Sequence, residues 1–157
     1  MEKSEFYQKH LDKVSRSFAR CIANLKSPLK EWVGLSYLLF RALDTIEDAP
    51  WENSALKKLS FDQFHNCLNG QLNFSWTAQL PDNIPEVEKQ LMQDLPKLVQ
   101  DFLVLPQPIQ GSIRKSLVTM SLGMQRFASL THQGQIRLKN LKEVNQYCFF
   151  VTGICKI

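Results

Sequence analysis

The sequence predicts an all-α fold, on three observations. Apolar residues recur at helical spacing through most of the chain. Prolines and glycines fall where those runs should stop, and no stretch alternates apolar and polar residues with the period of a strand. At 157 residues, 44% hydrophobic and 22% charged, the chain is long enough to bury one core as a single domain.

The run "SEFYQKHLDKVSRSFARCIANL" carries apolar residues at Phe6, Leu11, Val14, Phe18, Cys21 and Ile22 and reads as an N-terminal helix. Ser27 as N-cap and Pro28 at the first helical position predict a second helix, running to about Asp48 and stopped by Pro50. Ser60 and Gln63 have the spacing of a capping box opening "SFDQFHNCLNG", with Gly70 as its stop. Residues 71–85 hold two prolines and no period, and read as a loop.

From Glu86 the helical pattern resumes, with Pro96 predicted to kink or divide it. Pro106 and Pro108 precede a helix over about 108 to 130, apolar at Ile109, Ile113, Leu117, Met120, Met124 and Phe127. "LTHQGQIRLKN" reads as a turn. "LKEVNQYCFFVTGICKI" begins a last helix, apolar at Val144, Tyr147, Cys148, Val151 and Ile154. That helix meets the end of the sequence without a cap or polar tail, so the chain is expected to be a truncated, N-terminal portion of a larger helical bundle.

Composition narrows the function. The net charge is +4, but no Lys/Arg block is dense enough for a nucleic-acid stripe, so no nucleic-acid partner is expected and a small anionic substrate suits the charge better. The four cysteines are scattered without metal-ligand spacing, which predicts reduced thiols in a cytoplasmic protein. The N-terminus is charged and lacks a signal-peptide core. The longest apolar stretch, Trp32 to Phe40, is too short to span a bilayer.

One stretch breaks a rule. "RALDTIEDAP" places Asp44, Glu47 and Asp48 at the end of an apolar helix, where the helix dipole is already negative and cations are favoured. At i, i+3 and i+4 the three carboxylates share one helix face, and the same stripe carries Tyr37 and Arg41. Leu38, Leu39, Phe40 and Leu43 lie beside it and should pack inward. Two readings stand. The cluster is a solvated helix end in which Arg41 pairs with Asp44 or Glu47, or it is a site for a hard divalent cation. Mg²⁺ takes one or two carboxylates and fills its octahedron with waters and substrate phosphates.

A second block, "SRSFA" (Ser15 to Ala19), lies about one helix length before "YLLFRALDTIED". Together these resemble the squalene/phytoene synthase family of head-to-head prenyl transferases, the squalene synthase branch most closely. "MSLGMQRF" and "NQYCFFVTG" are similar to two further family blocks, and the four occur in family order across residues 15 to 153.

The resemblance implies an isoprenoid synthase-type helical bundle that condenses two prenyl diphosphates, farnesyl diphosphate for this branch, and then reduces the intermediate with NADPH. Carried over by motif, Asp44, Glu47 and Asp48 bind Mg²⁺. Arg41 and Arg16 contact diphosphate, with Ser15 and Ser17 nearby. Phe18, Tyr37 and Val151 border the substrate, and Tyr147 handles a proton in the first condensation. Phe18, Met120, Met124, Phe127 and Val151 are either cavity wall or plain core.

The sequence departs from the family pattern in its second half. After Asp101 its only acid is Glu143, so the family's second aspartate-rich motif has no counterpart. Thr152 and Lys156 stand where the family has alanine and glycine. Three functions follow as expectations: a squalene synthase-like prenyl transferase, a catalytically inactive remnant, or a helical interaction module. Peripheral membrane contact through the product is expected of the first, and self-association through exposed apolar surface of a truncated chain.

Overall fold

In a computed structural model, residues 2–73, 80–128, 131–132, 135–136 and 138–150 are described. Seven α-helices account for most of them: α1 (Lys3–Val14), α2 (Arg16–Ala23), α3 (Leu29–Asp48), α4 (Ser54–Leu68), α5 (Glu86–Leu103), α6 (Gln107–Ala128) and α7 (Leu141–Cys148). Two residues each of β1 (Thr131–His132) and β2 (Gln135–Ile136) pair antiparallel where a turn is predicted. The all-α expectation holds. The chain divides into two units, residues 1–110 and 111–157.

In the first unit α3 packs against α1, α2, α4 and α5. Its stripe of Leu35, Leu38, Leu39, Ala42, Leu43 and Ile46 is at most 1% exposed, and Phe61, Phe64, Leu91, Leu95 and Phe102 are buried with it. Burying such side chains contributes ~1.5–3 kcal/mol each. Gly34 lies in the interior of α3. A Cβ there would meet Leu11, Ile22 and Tyr7 at 3.6–3.7 Å, ordinary contact. Gly34→Ala should therefore stabilise the unit by about 0.5–1 kcal/mol through helix propensity, read as a higher urea midpoint.

α1 and α5 run antiparallel and are joined by a polar seam. Lys3 pairs with Asp101 at 2.6 Å, the Tyr7 hydroxyl donates to Asp101 at 2.8 Å, and His10 Nε2 bonds Asp94 at 2.9 Å. Lys97 sits 3.8 Å from the Phe6 ring centroid, a cation–π contact on the same seam.

Several boundaries differ from the sequence reading. The N-terminal helix is two helices, because Ser15 is extended (φ −161°, ψ 95°) and breaks the ladder inside "SRSFA". Ser27 does not cap α3; its hydroxyl donates to Glu31 at 2.7 Å, and the helix starts after Pro28. α4 begins about two turns before the capping box, on Asn53, whose side chain accepts from Ala55 N at 2.7 Å. Ser60 is then interior and donates back to the Leu56 carbonyl at 3.0 Å.

Other signals held. Gly70, at φ +90°, ends α4: Gly70 N bonds Cys67 O and Gln71 N bonds Asn66 O, the paired bonds of a Schellman stop. Pro96 does not divide α5, which runs unbroken through it on the buried face Leu91, Met92, Leu95, Leu98, Val99 and Phe102.

In the second unit Leu117, Met120, Met124 and Phe127 of α6 are buried, as their spacing predicts. α7 is capped by the Asn140 side chain, which accepts from Glu143 N at 3.0 Å. Its expected apolar stripe is not a core face. Val144 is 39% exposed and Cys148 is exposed, as is Leu141. Tyr147 and Phe150 instead turn towards Phe127, with ring centroids at 5.3 and 6.2 Å. Gly123 permits this approach, since a Cβ there would come within 2.2 Å of the Phe150 ring. Val151 and Ile154 lie outside the described residues.

Candidate functional site

The last two turns of α3 hold the carboxylates. The apolar stripe fixes the helix roll, so the opposite stripe carries Tyr37, Arg41, Asp44, Glu47 and Asp48 in the order the spacing requires. Asp44 and Glu47 are half-buried and Asp48 is exposed. The helix end is not left bare. Ala49 N bonds Thr45 O at 3.1 Å, the Trp51 indole donates to Ile46 O at 2.7 Å, and Lys57 Nζ donates to Glu47 O at 2.6 Å. Lys57, reaching across from α4, is the cation that the dipole calls for, placed on the backbone carbonyl rather than on the carboxylates.

The carboxylates themselves are under electrostatic load. Burial pushes the Asp44 carboxyl up to about 7, with Asp48 and Glu88 adding to the rise and Arg41 opposing it. Burial also pushes Glu47 up to about 7, followed by its hydrogen bond with the Asp48 carboxyl, while Lys57 opposes. Both rises come first from burial, with neighbouring acids adding to them and little positive charge between.

A pH dependence follows. Asp44 and Glu47 bind protons more tightly folded than unfolded, so the cation-free chain gains stability as pH falls through about 7. His10 and His65 act oppositely, because burial lowers both below the usual 6.5 and folding opposes their protonation. The gain is therefore confined to the interval from about pH 8 to about pH 6.5, where the carboxyls change and the histidines are still neutral. We expect a stabilisation of about 1 kcal/mol there, a few degrees in Tm, flattened in an Asp44→Asn, Glu47→Gln variant.

Arg41 does not pair with Asp44 or Glu47, as the solvated-end reading expected. Its guanidinium bonds Glu88 of α5 at 2.5 Å, and its Nε is buried without an acceptor among the described residues. Phe18 of α2 is 59% exposed, and its ring lies 5.2 Å from that of half-buried Tyr37, so the "SRSF" block meets the acidic helix there. Phe18 is thus not core. Met120, Met124 and Phe127 are buried, as core residues are.

Arg16 and Ser17 are exposed in the first turn of α2. The Ser15 hydroxyl makes no cap bond, and no ion pair engages Arg16 among the described residues. Tyr147 belongs to the second unit, edge-to-face on Phe127. Val151 lies outside the described residues.

Three contributors escape a sequence reading. Glu88 looks like an ordinary acid in the first turn of a helix, Lys57 like a surface lysine, and Trp51 like a loop aromatic. Each acts through a tertiary contact that no local pattern announces. Two hollows, of about 610 Å³ and 210 Å³, are lined by other residues: Arg126, Lys142, Asn145, Gln146, Phe149 and Phe150 for the first, and Leu80, Pro81, Asp82, Lys89 and Gln93 for the second.

Comparison with known proteins identifies the lineage of this arrangement. The squalene synthase of Mycosarcoma maydis is 31% identical over 144 residues, 92% of this chain and 24% of that protein. The Botryococcus squalene synthase of Botryococcus braunii is 32% identical over 92% of this chain and 29% of its own length. The Homo sapiens squalene synthase is 28% identical over 95% of this chain and 33% of its own length. The chain thus spans about a quarter to a third of the curated relatives it matches.

Among solved structures, TcSQS in complex with the ligand E5700 matches with a TM-score of 0.78 at 25% identity, covering 98% of this chain and 42% of that one. The family model described as squalene/phytoene synthase matches residues 11–155, and the chain belongs to that family.

Proposed function

We propose that this chain supplies the first carboxylate cluster of a squalene synthase-type head-to-head prenyl transferase, and grips one prenyl diphosphate through Mg²⁺. The observation that carries the reading is the cluster itself: two half-buried carboxyls on one helix face, both pushed up to about 7, with an arginine one turn away. Among the described residues no three acids, histidines or cysteines converge to cage an ion. An Mg²⁺ held here would therefore keep waters and substrate phosphates in its shell. The donor set is all oxygen, as a hard cation prefers.

Asp44 and Glu47, with Asp48 at the rim, would hold the ion, which when bound neutralises the leaving diphosphate. The chain's own residues do the rest. Arg41 adds a fixed positive charge beside the cluster. Arg16, with the hydroxyls of Ser15 and Ser17, offers donors that no other described group uses. Phe18 and Tyr37 present an aromatic wall to the prenyl chain, against which water has no hydrogen-bonding advantage. Tyr147 is the proton-handling residue by motif, and its ring is held on Phe127.

Farnesyl diphosphate is the substrate we assign from the family branch. NADPH as reductant is likewise assigned from the family branch alone, and no step on this chain's residues is assigned to it. After Asp101 the only acid is Glu143, so this chain alone provides one cluster where the reaction uses two, and we expect binding without squalene formation. Exposed Leu141, Val144 and Phe149 favour self-association of the isolated chain. No described helix is long and apolar enough to cross a membrane.

The test is calorimetric titration of the chain with a non-hydrolysable farnesyl diphosphate analogue, with and without Mg²⁺. Binding that requires Mg²⁺ supports the reading. Equal binding in EDTA, or none, would return the acidic face to surface decoration on a helical interaction module.

A further inference from the structure

On α3, Arg41 and Asp44 stand at i and i+3, neighbours on the helix surface, and an ion pair between them is the expected local outcome. The structure does otherwise. Arg41 pairs with Glu88, which reaches from the first turn of α5, and no ion pair links Arg41 to Asp44. The Glu88 side chain is 14% exposed and that of Arg41 32%, so the contact is shielded from water and stronger than a rim pair. Arg41 has no other side-chain partner among the described residues, and its buried Nε is left with a donor to spare. A guanidinium with an unused donor, one helical turn from the half-buried Asp44 carboxylate, is held off that carboxylate by a single contact.

We infer that Glu88 is a positioning residue for the cation site: by engaging Arg41 it keeps the guanidinium from closing onto Asp44. The inference rests on the Mg²⁺ reading proposed above and names a residue that reading does not use. Without Glu88, Arg41 turns to the nearest anion. Asp44 then spends its charge on an intrahelical ion pair, and a cation must displace the guanidinium before it can bind. Glu88 thus separates two functions that α3 alone would short-circuit, a carboxylate for metal and an arginine for phosphate.

Glu88 is also an acid near the cluster, so its removal weakens cation binding by charge alone. A double-mutant cycle distinguishes the two effects. The affinity of the full chain for Mg²⁺ alone is measured by calorimetry in the native chain, Glu88→Gln, Arg41→Gln and the double variant, with Glu88→Asp as the conservative partner.

Positioning requires that Glu88→Gln weaken Mg²⁺ five- to tenfold when Arg41 is present and less than twofold when it is Gln, and that Glu88→Asp stay within twofold of native. Equal losses in both backgrounds would make Glu88 a direct electrostatic contributor and overturn the inference, as would no loss in either. Failure of every variant and of the native chain to bind Mg²⁺ sinks the functional reading instead. Thermal melts of each variant confirm folding, and should Glu88→Gln not fold, the same cycle with Glu88→Ser in its place decides between the outcomes, Glu88→Asp remaining the conservative control.

Discussion

On the Mg²⁺ reading proposed above, Asp44→Asn is expected to abolish Mg²⁺-dependent binding of a prenyl diphosphate analogue while leaving helix content unchanged or slightly higher. The substitution preserves size and hydrogen bonding and removes one full charge from the most shielded part of the cluster, where burial already pushes the carboxyl up to about 7. A neutral amide cannot replace an anionic ligand for a hard dication. Losing it should cost more than tenfold, beyond the detection of a titration at millimolar Mg²⁺. Helix content holds because an acid in the last turn opposes the dipole by ~0.3–1 kcal/mol, which the amide relieves. Asp48→Asn is expected to act in the same direction. A variant at Asp44 that binds the analogue as tightly as the native chain would remove the metal from this face altogether.

Leu39→Ala should destabilise the first unit by ~2–5 kcal/mol, the largest stability effect among the positions considered. Leu39 is fully buried, on the stripe that sets the roll of α3. Truncation removes three carbons from the buried stripe of a helix on which α1, α2, α4 and α5 all pack. The measurement is urea unfolding followed by circular dichroism, with a lower midpoint and an unchanged slope. In the fraction that stays folded, Mg²⁺ affinity should be native, since the carboxylates are on the far side of the helix. Loss of affinity in step with loss of stability would mean that the cluster depends on core packing more directly than a rigid helix allows.

The sequence was most informative where periodicity and stop signals acted together. α3 ends at Asp48 as Pro50 predicts, and the buried positions of α3 and α6 are those their spacing selects. The acidic stripe was legible for the same reason, since three residues at i, i+3 and i+4 on a long helix must share a face. Misreadings arose where two local signals competed. Ser60 is followed by Gln63 as in a capping box, yet Asn53 opens the helix earlier, and a capping pattern within a longer apolar period yields to it. "SRSFA" continues the helical period, but the backbone at Ser15 is extended, and nothing in the side-chain pattern marks that break. The apolar face of α7 was visible in sequence, while its exposure was not. The arginine's partner could not be read at all, because Glu88 and Arg41 are brought together only by the packing of α5 on α3.

The bonds from Trp51 and Lys57 to the carbonyls of Ile46 and Glu47 bear on the timing of the site. Terminal turns ordinarily fray, and their amide protons exchange with solvent through small local openings. Here the turn that carries Glu47 and Asp48 is pinned from outside by an indole and an ammonium, one of them anchored in a different helix. Its amides should therefore exchange only when the α3–α4 contact itself opens, at rates close to those of the buried stretch before it. The carboxylates then have no partly unwound population that would present one ligand without the others. On the proposed reading a cation would meet the carboxylates already ordered, the cost of ordering them having been met in folding.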